Sequence, residues 1–459
     1  MASWLGKLFR PGAPAQAPAG PERPGGVQAT GASSPKPQDS APAAAQPGAH
    51  TPAITPGPGA AAALGRLQRR PLLHRNGHLA GFEVSVVAPQ SPVLSTAELA
   101  GLLLDGMTST VASGRIAMAI VTAETLASQE VIDKVTPGML FALADPMAKS
   151  ADEAAWLKAL KARGGQLGSS GMPRAGTSFV VMDAAQLSLE ALLERAQACR
   201  KVAPGVQLVA TGLRTIDDLE AAVRGPFEMV TGLFDRVGER RESGALSPNL
   251  QRLCRMINRA MNEPDTRALG DEIRADVDLT YRLLRYVNSP MLGLKRQVDS
   301  VDQALQLLGR QALFRWLTIM LVASAQGRTS SVALQEIALT RAHFMESLAA
   351  EVWGKSATLY TTGLLSLLDV MMQQPMEDLL RPLGLTEESH AALVDKTGPW
   401  HDLLELARCL ESGQVQKARE LSQPVGGFTA AQAAMERAWQ AAAAVTAELR
   451  SAARKERPS

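Results

Sequence analysis

Between about residues 66 and 236, short apolar runs alternate with longer stretches of helical period. The strand-like runs are Leu79–Val87, Ile116–Thr122, Met139–Ala142, Phe179–Met182, Gln207–Ala210 and Glu228–Val230. Helical segments fall between them at Thr96–Leu104, Asp152–Ala162, Leu187–Val202 and Thr215–Val223, and a polar hairpin-like stretch, Arg69–Gly77, leads into the first strand. Repeated strand-then-helix units predict parallel strands with helices packed outside them. Over this length the natural closure is a (β/α) barrel, complete or partial.

Beyond a charged connector, Asp235–Ser243, the period becomes helical throughout. Asp276 is placed to cap a helix whose Leu279, Leu283 and Val287 share one face. Ser300 and Gln303 form a capping-box pattern for the next helix, and Gly309 is positioned to end it. Along Thr429–Arg454, Met435, Trp439, Val445 and Leu449 make one stripe, the pattern of core packing.

The chain's first 65 residues follow neither pattern. Residues 11–60 contain 12 of the 28 prolines, four charged residues and no Phe, Trp or Tyr. Such a tract buries too little apolar surface to offset the entropy of ordering it, so it is expected to be a disordered tether. Ahead of it, Trp4, Leu5, Leu8 and Phe9 fall on one side of a short helix. Two readings stay open there: a docking peptide, for a protein or a membrane surface, or a frayed end. The expected organisation is a tail (1–65), an α/β barrel-like domain (66–236) and an all-α domain (237–459).

Composition narrows the function classes. With 47 Lys and Arg against 45 Asp and Glu, the formal charge of +2 offers no concentrated basic field for nucleic acid. Three scattered cysteines, Cys199, Cys254 and Cys409, fit neither a disulfide framework nor a zinc site. The longest apolar run, near Trp316–Ala325, is about half a membrane span. The expectation is a cytoplasmic protein without stable membrane insertion.

Residues 273–324 read IRADVDLTYRLLRYVNSPMLGLKRQVDSVDQALQLLGRQALFRWLTIMLVAS. This segment resembles the HDOD domain, the HD-related output domain of bacterial regulators, with Leu283, Asn288, Ser289, Gly293, Leu308 and Gly309 as its structural signature. The likeness continues through Leu339–Ala349, Gly363–Asp369, Gln374–Leu380 and Trp400–Leu410. Taken with the preceding barrel pattern, residues 66–455 resemble proteins that fuse a degenerate EAL domain to HDOD.

The resemblance implies metal chemistry in both ancestors, and the residues argue against it in both places. An HD phosphohydrolase needs a His-Asp doublet among its ligands, where this chain has Ser366 and Leu367. A literal doublet, His401-Asp402, precedes a helix, where Asp402 more simply complements the helix dipole. An active EAL enzyme hydrolyses cyclic-di-GMP with two metal ions held by Glu, Asn and Asp at strand ends. Here Glu83 survives within Gly81–Ser85, but Ala117–Thr122 has no Asn, and Leu140–Ala144 has no acid, Asp145 lying just beyond. The expected Asp pair reads Ser169-Ser170, and the Lys-x-Asp pattern keeps only Asp183. One Glu and one Asp do not build a two-metal site.

No catalytic, metal-binding or cofactor-binding residue is therefore assigned. The expected function is a non-enzymatic signalling regulator or scaffold, working through protein partners of its HDOD domain. Two rivals are a cyclic-di-GMP receptor without hydrolysis, against which stands the scarcity of basic residues at the strand ends, and a residual phosphohydrolase using His401 and Asp402.

Overall fold

The computed structural model describes residues 67–86, 95–126, 129–144, 151–237, 246–262, 267–289, 292, 297–353 and 356–455. Its first part is a closed barrel in which each strand bonds to the next in chain order. The strands are β1 (Leu67–His74), β2 (Leu79–Val86), β3 (Ile116–Val121), β4 (Met139–Leu143), β5 (Gln166–Ser170), β6 (Phe179–Asp183), β7 (Gln207–Leu213) and β8 (Met229–Gly232). Consecutive pairs from β2 to β8 are parallel, whereas β1 runs antiparallel to both its neighbours. The barrel is thus complete.

Two of its strands escape the apolar-run criterion. β1 carries Gln68, Arg69, Arg70 and Pro71, and reads as a polar turn until its partners are known. β5 offers one large apolar side chain, Leu167, beside Gly168, Ser169 and Ser170. Pairing on both edges overrides their weak patterns.

Alternation along the strands separates two cores. Leu72, Met118, Leu140, Ala142, Phe179, Val181, Val209 and Met229 fill the barrel interior as one cluster. The intervening residues, among them Phe82, Val84, Ala119 and Phe141, face outward into a larger core. Around the barrel lie α1 (Thr96–Ala112), α2 (Ala123–Leu126), α3 (Gln129–Lys134), α4 (Ala151–Ala162), α5 (Leu189–Val202) and α6 (Ile216–Arg224). Ser95 and Glu98 cap α1 reciprocally, and the helix runs past Leu104 because Met107 and Thr110 also bury.

The second part is helical: α7 (Pro248–Asn262), α8 (Arg267–Arg274), α9 (Val277–Val287), α10 (Val301–Ser324), α11 (Ser331–Trp353), α12 (Ser356–Leu365), α13 (Leu368–Met372), α14 (Met376–Leu380), α15 (Glu387–His390), α16 (Pro399–Ser412), α17 (Val415–Ser422) and α18 (Gly427–Lys455). Asp276 accepts the Leu279 N–H and Ser300 that of Gln303, so both helix starts lie at their expected caps. Gly309 adopts φ 67° and ψ 172°, a conformation only glycine takes without strain, but helix resumes at once. The helix opened at Ser300 thus ends at Gly309 as expected, and α10 continues beyond the kink as a second helix. The second half of α10, around Trp316, is packed inside the protein, and no helix among the described residues is long and apolar enough to cross a membrane.

Barrel and helices share the larger core. Phe82 of β2 meets Trp439 of α18 edge to face at 4.7 Å. At the β1–β2 turn, Ala333 N–H donates to the Gly77 carbonyl, and a Cβ on Gly77 would collide with the Thr329 carbonyl. Glu220 of α6, buried, accepts Ser330 N–H at 2.9 Å and Ser330 Oγ–H at 2.6 Å, while Arg328 reaches Asp217 at 2.7 Å. Arg115 of β3 pairs with Glu336 of α11.

Candidate functional site

The first candidate lies inside the barrel. Gly81, Glu83 and Ser85 alternate with the outward Phe82 and Val84, so Glu83 points inward, 3% exposed. Arg70 stands directly opposite it across the β1–β2 ladder, and its guanidinium donates to Glu83 Oε1. Such a cross-strand pair of opposite charges is a stabilising element in its own right. Burial pushes the Glu83 carboxyl above the usual carboxylate range, and Arg70 pulls it part of the way back.

The remaining inward positions are poor in metal donors. By alternation they include Met118 and Ile120 on β3, Leu140 and Ala142 on β4, Gln166, Gly168 and Ser170 on β5, Phe179 and Val181 on β6, Val209 and Thr211 on β7, and Met229 and Thr231 on β8. Asp183 ends β6, and its Oδ1 accepts the Ala185 N–H at 2.9 Å, the geometry of a turn residue. Asp145 lies outside the described residues. Among the described residues, no three His, Cys, Asp or Glu side chains come together as a metal-binding group. A two-metal site needs several carboxylates around unshielded charge, and this interior places a guanidinium against Glu83, its one buried acid among the described residues.

The second candidate is the place where an HD doublet would stand. Ser366 and Leu367 follow α12, and Leu367 is fully buried. Among the charged groups nearby is Arg341 of α11, 2% exposed, held by Glu411 of α16 through Nε–H at 2.9 Å and Nη2–H at 2.5 Å. Asp235, three residues past β8, lies 3.6 Å from Arg341 and accepts from Arg408 Nε–H. Burial works to raise the Asp235 carboxyl, but Arg341, Arg408 and the hydrogen bond from Arg408 outweigh it and hold it below its ordinary range. Burial likewise works against the Arg341 charge, and Glu411 and Asp235 more than offset it. Asp235 is therefore no solvated connector residue: it inserts barrel charge into the helical domain.

His401 sits in the first turn of α16, with Nδ1 3.2 Å from the Ala392 carbonyl. Asp402 occupies the same turn. The buried histidine is instead His343, edge to face with Tyr360; burial and Arg315 push it down to about 3, so it is neutral.

Of the signature residues, Leu283 is fully buried and Leu308 6% exposed. Asn288 caps α9 and ties it to the chain before α10, donating to the Leu284 and Val298 carbonyls and accepting the Val298 N–H. Ser289, also buried, donates its N–H to Tyr286. Gly293 and the segment with Trp4, Leu5, Leu8 and Phe9 lie outside the described residues. Arg70 and Asp235 are the residues missed from sequence, one inside an unrecognised strand and the other in an apparent linker.

Residues 246–395 match the family model of the HDOD domain. The chain carries an HDOD domain. It is 26% identical over 221 residues to the uncharacterized protein YuxH of Bacillus subtilis, covering 47% of this chain and 54% of that one. It is 27% identical over 214 residues to the cyclic di-GMP phosphodiesterase CdgJ of Vibrio cholerae, covering 46% and 49%. The chain thus spans about half the length of the curated relatives it matches. Among solved structures, the EAL domain protein of Listeria monocytogenes aligns with 36% of this chain and 85% of its own at 14% identity and a TM-score of 0.30. The EAL domain of Mycobacterium smegmatis DcpA aligns with 36% and 89% at 15% identity and the same score. The barrel stands on its own strand order, and a barrel joined to an HDOD domain is consistent with the EAL-HDOD organisation.

Proposed function

We propose that this protein is a non-enzymatic regulator in cyclic-di-GMP-related signalling, with the barrel as scaffold and the HDOD domain as the part that binds other proteins. The observation that carries this reading is the Arg70–Glu83 pair. The one inward Glu that resembles an EAL ligand is buried against a guanidinium, and its inward neighbours are mostly apolar. The helical domain also leaves Val277 and Tyr281 exposed on consecutive turns of α9, an apolar contact point for a partner.

Hydrolysis is the rival to exclude, since CdgJ is named a phosphodiesterase. Incubating the full chain with cyclic-di-GMP and Mg²⁺ or Mn²⁺ is expected to release no pGpG above the protein-free blank. Metal-dependent release would overturn the proposal. Binding without hydrolysis has one supporting feature, the partly exposed Arg70 guanidinium, which suits phosphate chemistry. Its Nη2 and its charge are engaged by Glu83, so titration calorimetry with cyclic-di-GMP is expected to give no saturable heat.

A further inference from the structure

The barrel closes unevenly. β1 meets β8 only at Leu73 and His74, with the Arg75 N–H donating to the Glu228 carbonyl just beyond. Ahead of that contact Leu67–Leu72 pairs with β2 alone, so no strand covers the other edge of this half of β1 among the described residues. The ladder register also slips between Leu72 and Leu73, where the doubly paired part of the strand begins. An irregularity of this kind bends a strand and re-aims its side chains, and an uncovered edge leaves backbone groups to be satisfied by other means.

Helices from beyond the matched HDOD residues hold this edge. The family match ends at residue 395, before α16 and α18. Gln432 of α18 donates to the Leu67 carbonyl at 3.2 Å, and Gln68 donates to the Leu410 carbonyl of α16 at 3.2 Å. Gly413, left-handed at φ 88°, ends α16 against Gln68, where a Cβ would stand 2.9 Å from the Gln68 Nε2. The last turn of α16 also lines two small cavities, one of about 20 Å³ shared with Leu67 and Arg69, the other of about 30 Å³ shared with Gly232 and Leu233. It therefore stands in the seam that β1 and β8 leave open.

The two faces of the hairpin have different partners. Inside, Arg70 pairs with Glu83. Outside, one residue away on each strand, Arg69 pairs with Glu436 of α18 and Phe82 meets Trp439. Arg69 is also fixed to α1, its Nε–H donating to Thr110 Oγ1 at 3.0 Å and its Nη2–H to the Gly106 carbonyl at 2.9 Å. Glu436 and Trp439 share one face of α18, and α18 packs along α11, which carries Arg341. A strand turns its side chains alternately to its two faces, so a backbone shift at Arg70 or Glu83 carries Arg69 and Phe82 with it. We propose that the β1–β2 hairpin is the conformational link between the barrel interior and the HDOD domain: whatever parts Arg70 from Glu83 is felt by α16 and α18. The link requires neither a bound partner nor catalysis.

The test is amide hydrogen exchange across the full chain, read by mass spectrometry. Arg70→Ala removes the inner pair, and the milder Glu83→Gln takes away its negative charge; neither touches α16 or α18. Both are expected to speed exchange at Leu67–Leu72 and, across the hairpin, at residues 432–445 of α18. The expected factor is about two- to tenfold, the value of one net hydrogen bond. Coupling is reciprocal, so Trp439→Leu is expected to speed exchange in β1 and β2 in turn. α5 and α8 serve as references and are expected to keep wild-type rates. A response to Arg70→Ala and Glu83→Gln confined to the barrel, with α18 at its wild-type rates, would overturn the proposal. An equal acceleration throughout the chain would overturn it too, since that is global destabilisation.

Discussion

Inside the barrel and at the helical seam, an arginine is paired with a carboxylate, but the two pairs are built differently. Arg70 and Glu83 are neighbours across one hairpin ladder, 13 residues apart, and the arginine side chain is 33% exposed. Arg341 is 2% exposed and joins three distant parts of the chain: α11, α16 through Glu411, and the barrel through Asp235. The first pair neutralises a surviving acid locally. The second uses a buried cation to hold two domains in one arrangement.

This difference ranks the expected effects of mutation. Removing one partner of a buried ion pair leaves an uncompensated charge and costs about 3–5 kcal/mol. Arg341→Ala is expected to reach that range in denaturant unfolding, because the buried Glu411 loses its counter-ion and Asp235 is left with Arg408 alone. A cost under about 1 kcal/mol, the value of a surface pair, would show that the seam is not held this way.

Arg70→Ala is expected to destabilise less, since water reaches one side of the pair and Glu83 can take up a proton once the guanidinium is gone. Replacing both members, as in Arg70→Leu with Glu83→Leu, is expected to restore part of the loss, because a buried pair exchanged for apolar residues is often close to neutral. A double-mutant cycle checks this, and additivity of the two single changes would mean that they are not coupled.

The smallest effect is a pH dependence at Asp235. Its folded-state carboxyl lies below the ordinary range, so the stability it contributes is present above the unfolded value near 3.8 and is lost as pH falls through the folded value. The wild type should exceed Asp235→Asn in melting temperature at neutral pH, and the gap should narrow on acidification. A gap that widens in acid would reverse the assigned sign.

Much of this architecture is legible in sequence because it rests on period and caps. Strands such as Phe179–Asp183 are apolar runs, and Asp276 and Ser300 announce helix starts by residue type. β1 and β5 are hidden because their place in the barrel comes from pairing on both sides, which no local window contains. The same limit applies to the candidate sites. That Glu83 lacks metal-binding companions is visible from the motifs, but that Arg70 faces it depends on cross-strand register. Asp235 lies in a charged stretch that looks solvated, and only the packing of α11 and α16 against the barrel gives it two arginines.

The claim that Glu83 is a structural ion-pair member and not a metal ligand is tested most directly by titrating the full chain with Mn²⁺ and measuring free ion by electron paramagnetic resonance. The account predicts no stoichiometric binding, and a Glu83→Gln variant that behaves like the wild type. One or two Mn²⁺ bound per chain at micromolar affinity, and lost in Glu83→Gln, would contradict it.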